Sequence, residues 1–206
     1  MEIYDISQTL REGIAVWPGD QEFRCHSTMR LHEGDACNVS AVTMSIHTGT
    51  HLDAPFHLED SGIDIAAVPL RHYIGPVRVV SMDVAECITH AELERLNWDG
   101  VERVLFKTGS SNLPEDQFDP EFAYVSEDGA EFLGRRALLL VGIDTPSVDA
   151  YESKSLRSHK VLLGHRVAIL EGTRLAHVPD GDYGLVCLPL KFAGLDGSPV
   201  RAILMR

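Results

Sequence analysis

The chain of 206 residues is 44% hydrophobic and 24% charged, an ordinary globular composition with enough apolar material for one core. Its formal net charge of -13 argues against a nucleic-acid-binding surface, which needs clustered Lys and Arg, and against docking on anionic lipid. No apolar run approaches the roughly 20 residues of a membrane span, Met1-Glu2-Ile3-Tyr4-Asp5 lacks the features of a secretory signal, and Cys25, Cys37, Cys87 and Cys187 form no Cys-x-x-Cys pair, so the expectation is a cytoplasmic protein with free thiols.

In chain order, residues 23–31 and 37–46 carry strand-like apolar alternation in places, with Glu33-Gly34-Asp35 as a turn between them. Residues 77–80 form a strand candidate. Thr89-His90-Ala91-Glu92 is a capping-box pattern, and Leu93 and Leu96 follow it at helical spacing. Residues 104–106 read as strand and 126–136 as helix. The apolar run 137–143 has the character of a buried strand. Residues 155–163 read as helix, and 167–170, 185–190 and 200–204 as further strands. With no internal repeat and no Pro/Gly-rich linker, the expectation is one domain over residues 1–206, of mixed α/β or α+β class.

The chemistry concentrates in His47-Thr48-Gly49-Thr50-His51-Leu52-Asp53-Ala54-Pro55-Phe56-His57, which holds three histidines and one aspartate in eleven residues. All four sit at odd positions. An extended chain would project His47, His51, Asp53 and His57 from one face, since residues two apart share a face. A helix is disfavoured by Gly49 and Pro55 and by the β-branched Thr48 and Thr50. Imidazole nitrogen and carboxylate oxygen are the usual non-sulfur ligands of zinc. A divalent metal held by two histidines and an aspartate keeps a position open for water, whose lowered pKa makes it a nucleophile near neutral pH. A histidine outside the ligand set can carry protons. The remaining histidines at 26, 32, 72, 90, 165 and 177 show no such organisation. Two downstream candidates are His159, on the expected helix 155–163, and Glu171, which closes the apolar run 167–170 where a carboxylate is costly unless paired or metal-bound.

The segment 47–57 resembles the His-x-Gly-Thr-His-x-Asp-x-Pro-x-His signature of the cyclase family, which includes bacterial kynurenine formamidases and isatin hydrolases. Trp17-Pro18-Gly19-Asp20, Gly142-Ile143-Asp144-Thr145-Pro146-Ser147-Val148-Asp149, Ser153-Lys154-Ser155-Leu156, Leu188-Pro189-Leu190-Lys191 and Asp196-Gly197-Ser198-Pro199-Val200-Arg201 resemble the formamidase branch. The resemblance implies a swivelling β/β/α fold, at least dimeric, with two divalent metal ions per subunit, Zn2+ first and Mn2+ as the alternative. It implies that His47, His51 and Asp53 hold one metal and that Asp53, His159 and Glu171 hold a second, with Asp53 and Glu171 shared. It further implies His57 as proton donor and acceptor, Trp17 as a substrate-contacting aromatic, and N-formyl-L-kynurenine as substrate, hydrolysed to L-kynurenine and formate. The runner-up within enzymes is a hydrolase of another aryl or cyclic amide such as isatin. A metal-binding or regulatory protein without catalysis would not need the additional histidine at 57.

Overall fold

Thirteen strands and three α-helices make up the regular structure of the computed structural model, which describes residues 1–206. The strands are β1 (Ile3–Asp5), β2 (Arg24–Met29), β3 (Val39–Thr43), β4 (His51–Asp53), β5 (Ile74–Ser81), β6 (Cys87–Ile88), β7 (Arg103–Lys107), β8 (Tyr124–Val125), β9 (Leu140–Ile143), β10 (Ala168–Glu171), β11 (Gly181–Val186), β12 (Gly197–Pro199) and β13 (Ile203–Met205). The helices are α1 (His90–Glu94), α2 (Glu127–Gly134) and α3 (Arg157–Gly164). The mixed α/β expectation therefore holds.

Nine strands form one sheet in the order β1-β13-β11-β5-β7-β9-β10-β4-β12. Its centre, β5-β7-β9-β10, is parallel, and the strands on both sides pair antiparallel. Of the parallel strands, β7, β9 and β10 are buried on both faces, which is why β9 and residues 168–170 of β10 are apolar runs rather than alternations, whereas β5 alternates. Val104, Phe106, Val141, Ile143 and Ile169 face the helices and pack with Leu93, Ala130, Leu133 and Leu162. Leu105, Leu140 and Leu170 face the other way and pack with Leu52, Tyr73, Val77 and Leu204. Each such Val, Leu, Ile or Phe side chain, fully buried, contributes roughly 1.5–3 kcal/mol.

Capping chemistry sets the helix starts. Thr89 and Glu92 form the capping box expected at α1. The Ser126 hydroxyl accepts a hydrogen bond from the Gly129 amide at the start of α2. The α3 helix begins two residues later than expected, after Leu156 in the left-handed region.

Several expectations need correction. The run 137–143 is strand only from Leu140, because Ala137 takes a positive φ of 55° and turns the chain out of α2. Residues 185–190 contribute only Leu185 and Val186 to a strand, which begins earlier, at Gly181. Asp182 and Gly184 hide that strand's pattern, yet Tyr183 and Leu185 are its buried pair. The β2–β3 hairpin exists, but nearly all of its residues are exposed on both faces, so its apolar alternation does not mark a core. The largest correction concerns 47–57, which is not one extended segment. Only His51–Asp53 is strand; residues 45–50 turn, and Pro55–His57 is a single 3-10 turn.

Candidate functional site

The short strand β4 is the frame of the site. It pairs antiparallel with β10, placing His51 opposite Glu171. Side chains two apart on a strand share a face, so His51, Asp53 and Glu171 project together. That face is the one covered by the helices, and His159 on α3 reaches it. Two turns complete the set. Gly49, at φ 68°, lets the chain double back so that His47 returns over β4. Pro55, with its fixed φ, opens the 3-10 turn in which the His57 amide donates to the Ala54 carbonyl at 2.9 Å.

The distances describe a cage. His47 Nδ1 lies 3.0 Å and His51 Nε2 3.6 Å from Asp53 Oδ1, while His159 Nε2 lies 3.3 Å from Asp53 Oδ2. Glu171 divides its oxygens likewise, with Oε2 at 3.2 Å from His51 Nε2 and Oε1 at 3.2 Å from His159 Nε2. Each of the three imidazoles has its other nitrogen held from outside. His47 Nε2 is 2.9 Å from Asp196, His51 Nδ1 is 2.9 Å from the Gly49 carbonyl, and His159 Nδ1 is 2.7 Å from Asp149. An outer acceptor of this kind fixes the tautomer and leaves the inner nitrogen's lone pair free for a metal.

His51, Asp53, His159 and Glu171 are each no more than 3% exposed. Buried carboxylates demand a cation, and the pKa directions express that demand. Burial pushes the Asp53 carboxyl up, but the facing His159 and His47 hold it well below the usual range. Burial would lower His47, yet Asp196 and Asp53 raise it to about 10. His159 is likewise raised against burial, chiefly by Glu171. Glu171 is lowered by His159 and His51 despite burial and the neighbouring Asp53. Asp196 is drawn down to about 2 by its hydrogen bond to His47. His57 differs, because burial dominates and lowers it, which favours the neutral ring.

The donors fit a divalent cation. Both Asp53 oxygens are buried without an aligned hydrogen bond, although imidazole nitrogens lie within contact distance of each. Three overlapping groups bring their donor atoms within 4.8 Å: His47, His51 and Asp53; Asp53, His57 and His159; and His47, His57 and Asp196. The structure thus brings together all five residues expected as ligands, and it places His57 beside them. His57 Nδ1 is 3.5 Å from Asp196, and its ring centroid is 4.3 Å from that of His47.

The cage opens into a cavity of about 390 Å³, within the usual range for small-molecule sites. Trp17 lines it, with ring centroids 5.6 Å from Phe118, 6.2 Å from Phe122 and 5.2 Å from Tyr151. Tilted and edge-on aromatic contacts of this spacing make a rigid apolar wall.

Comparison with known proteins identifies the family. The Cyclase family model matches residues 4–150. This chain belongs to the cyclase family. It is 43% identical to the kynurenine formamidase of Bacillus cereus over 203 residues, covering 98% of this chain and 97% of the relative. A solved structure described as a predicted metal-dependent hydrolase from Bacillus stearothermophilus is 32% identical, with a TM-score of 0.84 over 98% of this chain and 97% of that one. Isatin hydrolase A from Labrenzia aggregata shares the fold, with a TM-score of 0.83 at 23% identity over 98% of this chain and 93% of that one.

Sequence reasoning missed five members of this cyclase-family site. Asp149 and Asp196 lie in stretches noted for their resemblance but were not singled out as partners of His159 and His47. The rule that a ligating histidine passes its other N–H to a carboxylate could have nominated acids there. Phe118, Phe122 and Tyr151 carry no periodic signal. Of the unorganised histidines, His72 is a satisfied core residue, with Nδ1 2.8 Å from the Leu139 carbonyl.

Proposed function

We propose that this chain hydrolyses N-formyl-L-kynurenine to L-kynurenine and formate, as an arylformamidase of tryptophan degradation. One observation carries the reading: a buried imidazole–carboxylate cage opens into an aromatic-walled cavity. The end-to-end similarity to a kynurenine formamidase supports the choice of substrate.

Two divalent cations fit the divided carboxylates. His47, His51 and Asp53 would hold one, and Asp53, His159 and Glu171 the other, with Asp53 and Glu171 shared. Zinc suits the nitrogen and oxygen donors, and manganese is the alternative. When bound, the cations supply a water of lowered pKa and a Lewis acid for the developing oxyanion.

The protein's own groups do the rest. Trp17 packs on the substrate's aryl ring and, with Phe118 and Phe122, walls the cavity beside the cage. Asp196, Asp149 and the Gly49 carbonyl hold the three ligand imidazoles in orientation. His57 accepts the proton of the attacking water and delivers it to the departing aryl nitrogen. Water's oxygen joins the formyl carbon, the C–N bond breaks, and formate and the free amine leave.

Residues 1–206 act as one catalytic unit in this reading, because donors from position 47 to position 196 converge on one cage. The unit works as a homodimer in the cytoplasm. Exposed Val39 and Val42 on the hairpin support assembly, and the four unpaired cysteines suit a reducing compartment. No helix is long and apolar enough to cross a membrane.

The test is formate release from N-formyl-L-kynurenine beside ring opening of isatin, before and after chelation. The expected result is efficient formate release that chelation abolishes and zinc or manganese restores. Preference for isatin would transfer the site to cyclic amides. Full activity in a preparation shown to be metal-free would remove the metal from the reaction.

A further inference from the structure

The catalytic cavity holds one permanently charged cation, Arg174. No other lysine or arginine lines it. The half-buried Arg78 pairs with Asp182, the exposed Arg201 pairs with Asp5, and the buried Arg103 pairs with Glu102 and backbone carbonyls. Arg174 pairs with no carboxylate of the chain, in a protein of net charge -13. Its guanidinium has five N–H donors, and the protein takes one of them, as Nη1 donates to the Leu113 carbonyl at 3.0 Å.

The placement is held from the backbone. The Arg174 amide donates to the Ile6 carbonyl at 2.8 Å, and the adjacent Thr173 hydroxyl donates to the Ile143 carbonyl at 2.9 Å. Arg174 is three residues from Glu171 in the cage, so their Cα atoms lie within about 11 Å. A half-buried fork with free donors, one small-molecule length from the reacting centre, suits a carboxylate, which it can hold in a bidentate pair. Asp20, Glu115 and Asp119 line the same cavity, and they complement an ammonium beside that carboxylate.

We infer that Arg174 binds the α-carboxylate of the substrate's amino-acid head, so that the enzyme selects aryl formamides bearing a zwitterionic side chain over bare ones. This rests on the formamidase reading. In it, the anilide end lies between the aromatic wall and the cage while the head group points to Arg174.

The experiment compares two substrates: N-formyl-L-kynurenine and the N-formyl derivative of 2-aminoacetophenone, which keeps the formanilide and lacks the amino-acid head. Arg174→Gln retains a donor for the Leu113 carbonyl and removes the charge. It should lower kcat/KM for the full substrate by about 10- to 100-fold, mainly through KM, the range of one lost charge-assisted contact. The rate on the truncated substrate should stay unchanged, which also reports an intact fold. Arg174→Lys should recover part of the loss, since it restores charge without the fork. An equal penalty on both substrates, or none on either, overturns the inference and leaves Arg174 as a prop for Leu113. A wild-type protein that cleaves neither formamide overturns the formamidase reading, and the inference with it.

Discussion

At the residue scale, the cage separates two kinds of histidine. His47, His51 and His159 each have one nitrogen tied outside and one turned to Asp53. His57 is tied only loosely, at 3.5 Å from Asp196, and burial favours its neutral ring. That suits a group that must accept a proton and release it. It also stands within ligand distance of two of the three donor groups, so metal content is the discriminating measurement. His57→Ala should lower kcat by about 10²–10⁴-fold, the usual worth of a positioned proton carrier, and keep its metal. His51→Ala should lose metal and activity together. If His57→Ala loses metal in parallel with rate, His57 is a ligand and the proton carrier lies elsewhere.

At the element scale, the site depends on a three-residue strand between two turns. The first turn is locked to the end of β10. The Thr50 hydroxyl donates to the Gly172 carbonyl at 2.7 Å, and the Gln8 side-chain amide donates to the same oxygen at 3.0 Å. Gly172 has φ +65°, and a Cβ there would stand 2.4 Å from the Gly49 carbonyl oxygen. That oxygen belongs to the backbone and also orients His51, so it cannot yield cheaply. Gly172→Ala therefore combines left-handed strain with a clash, a cost of about 2–3 kcal/mol. For a chain of this size the thermal midpoint should fall by about 5–10 °C, and metal affinity should weaken as the 45–50 turn shifts. A melting curve that superimposes on the wild type would show that this turn is not held by the close approach.

At the scale of the whole molecule, the sheet separates two cores, and the cage sits where the antiparallel flank β4 meets the parallel centre at β10. The β2–β3 hairpin lies outside both cores, exposed on both faces with Val39 and Val42 uncovered. An isolated two-stranded hairpin is marginal in water, and the proposed dimer would cover it with a second copy. Light scattering at micromolar concentration should give twice the chain mass, and Val42→Glu should shift the population toward monomer. A monomeric wild type at that concentration contradicts the dimer.

The amino-acid sequence by itself determined the donor chemistry. Imidazoles and a carboxylate concentrated in eleven residues point to a metal whatever backbone carries them, because ligand preference belongs to the side chains. It also determined the buried parallel strands, since β9 and residues 168–170 of β10 are apolar on both faces, and the capping box of α1, since that signal is local. The route by which the donors meet was not legible. A period of two suggested one extended face, whereas a left-handed glycine and a proline-led turn fold His47 and His57 back over three residues of strand. Only the tertiary structure brought Glu171 opposite His51, aimed Asp149 and Asp196 at the outer nitrogens, gathered Phe118, Phe122 and Tyr151 around Trp17, and left Arg174 unpaired in the cavity. Those contacts join positions far apart in the chain, and no local pattern encodes them. They follow from strand register and from which face of the sheet the helices cover.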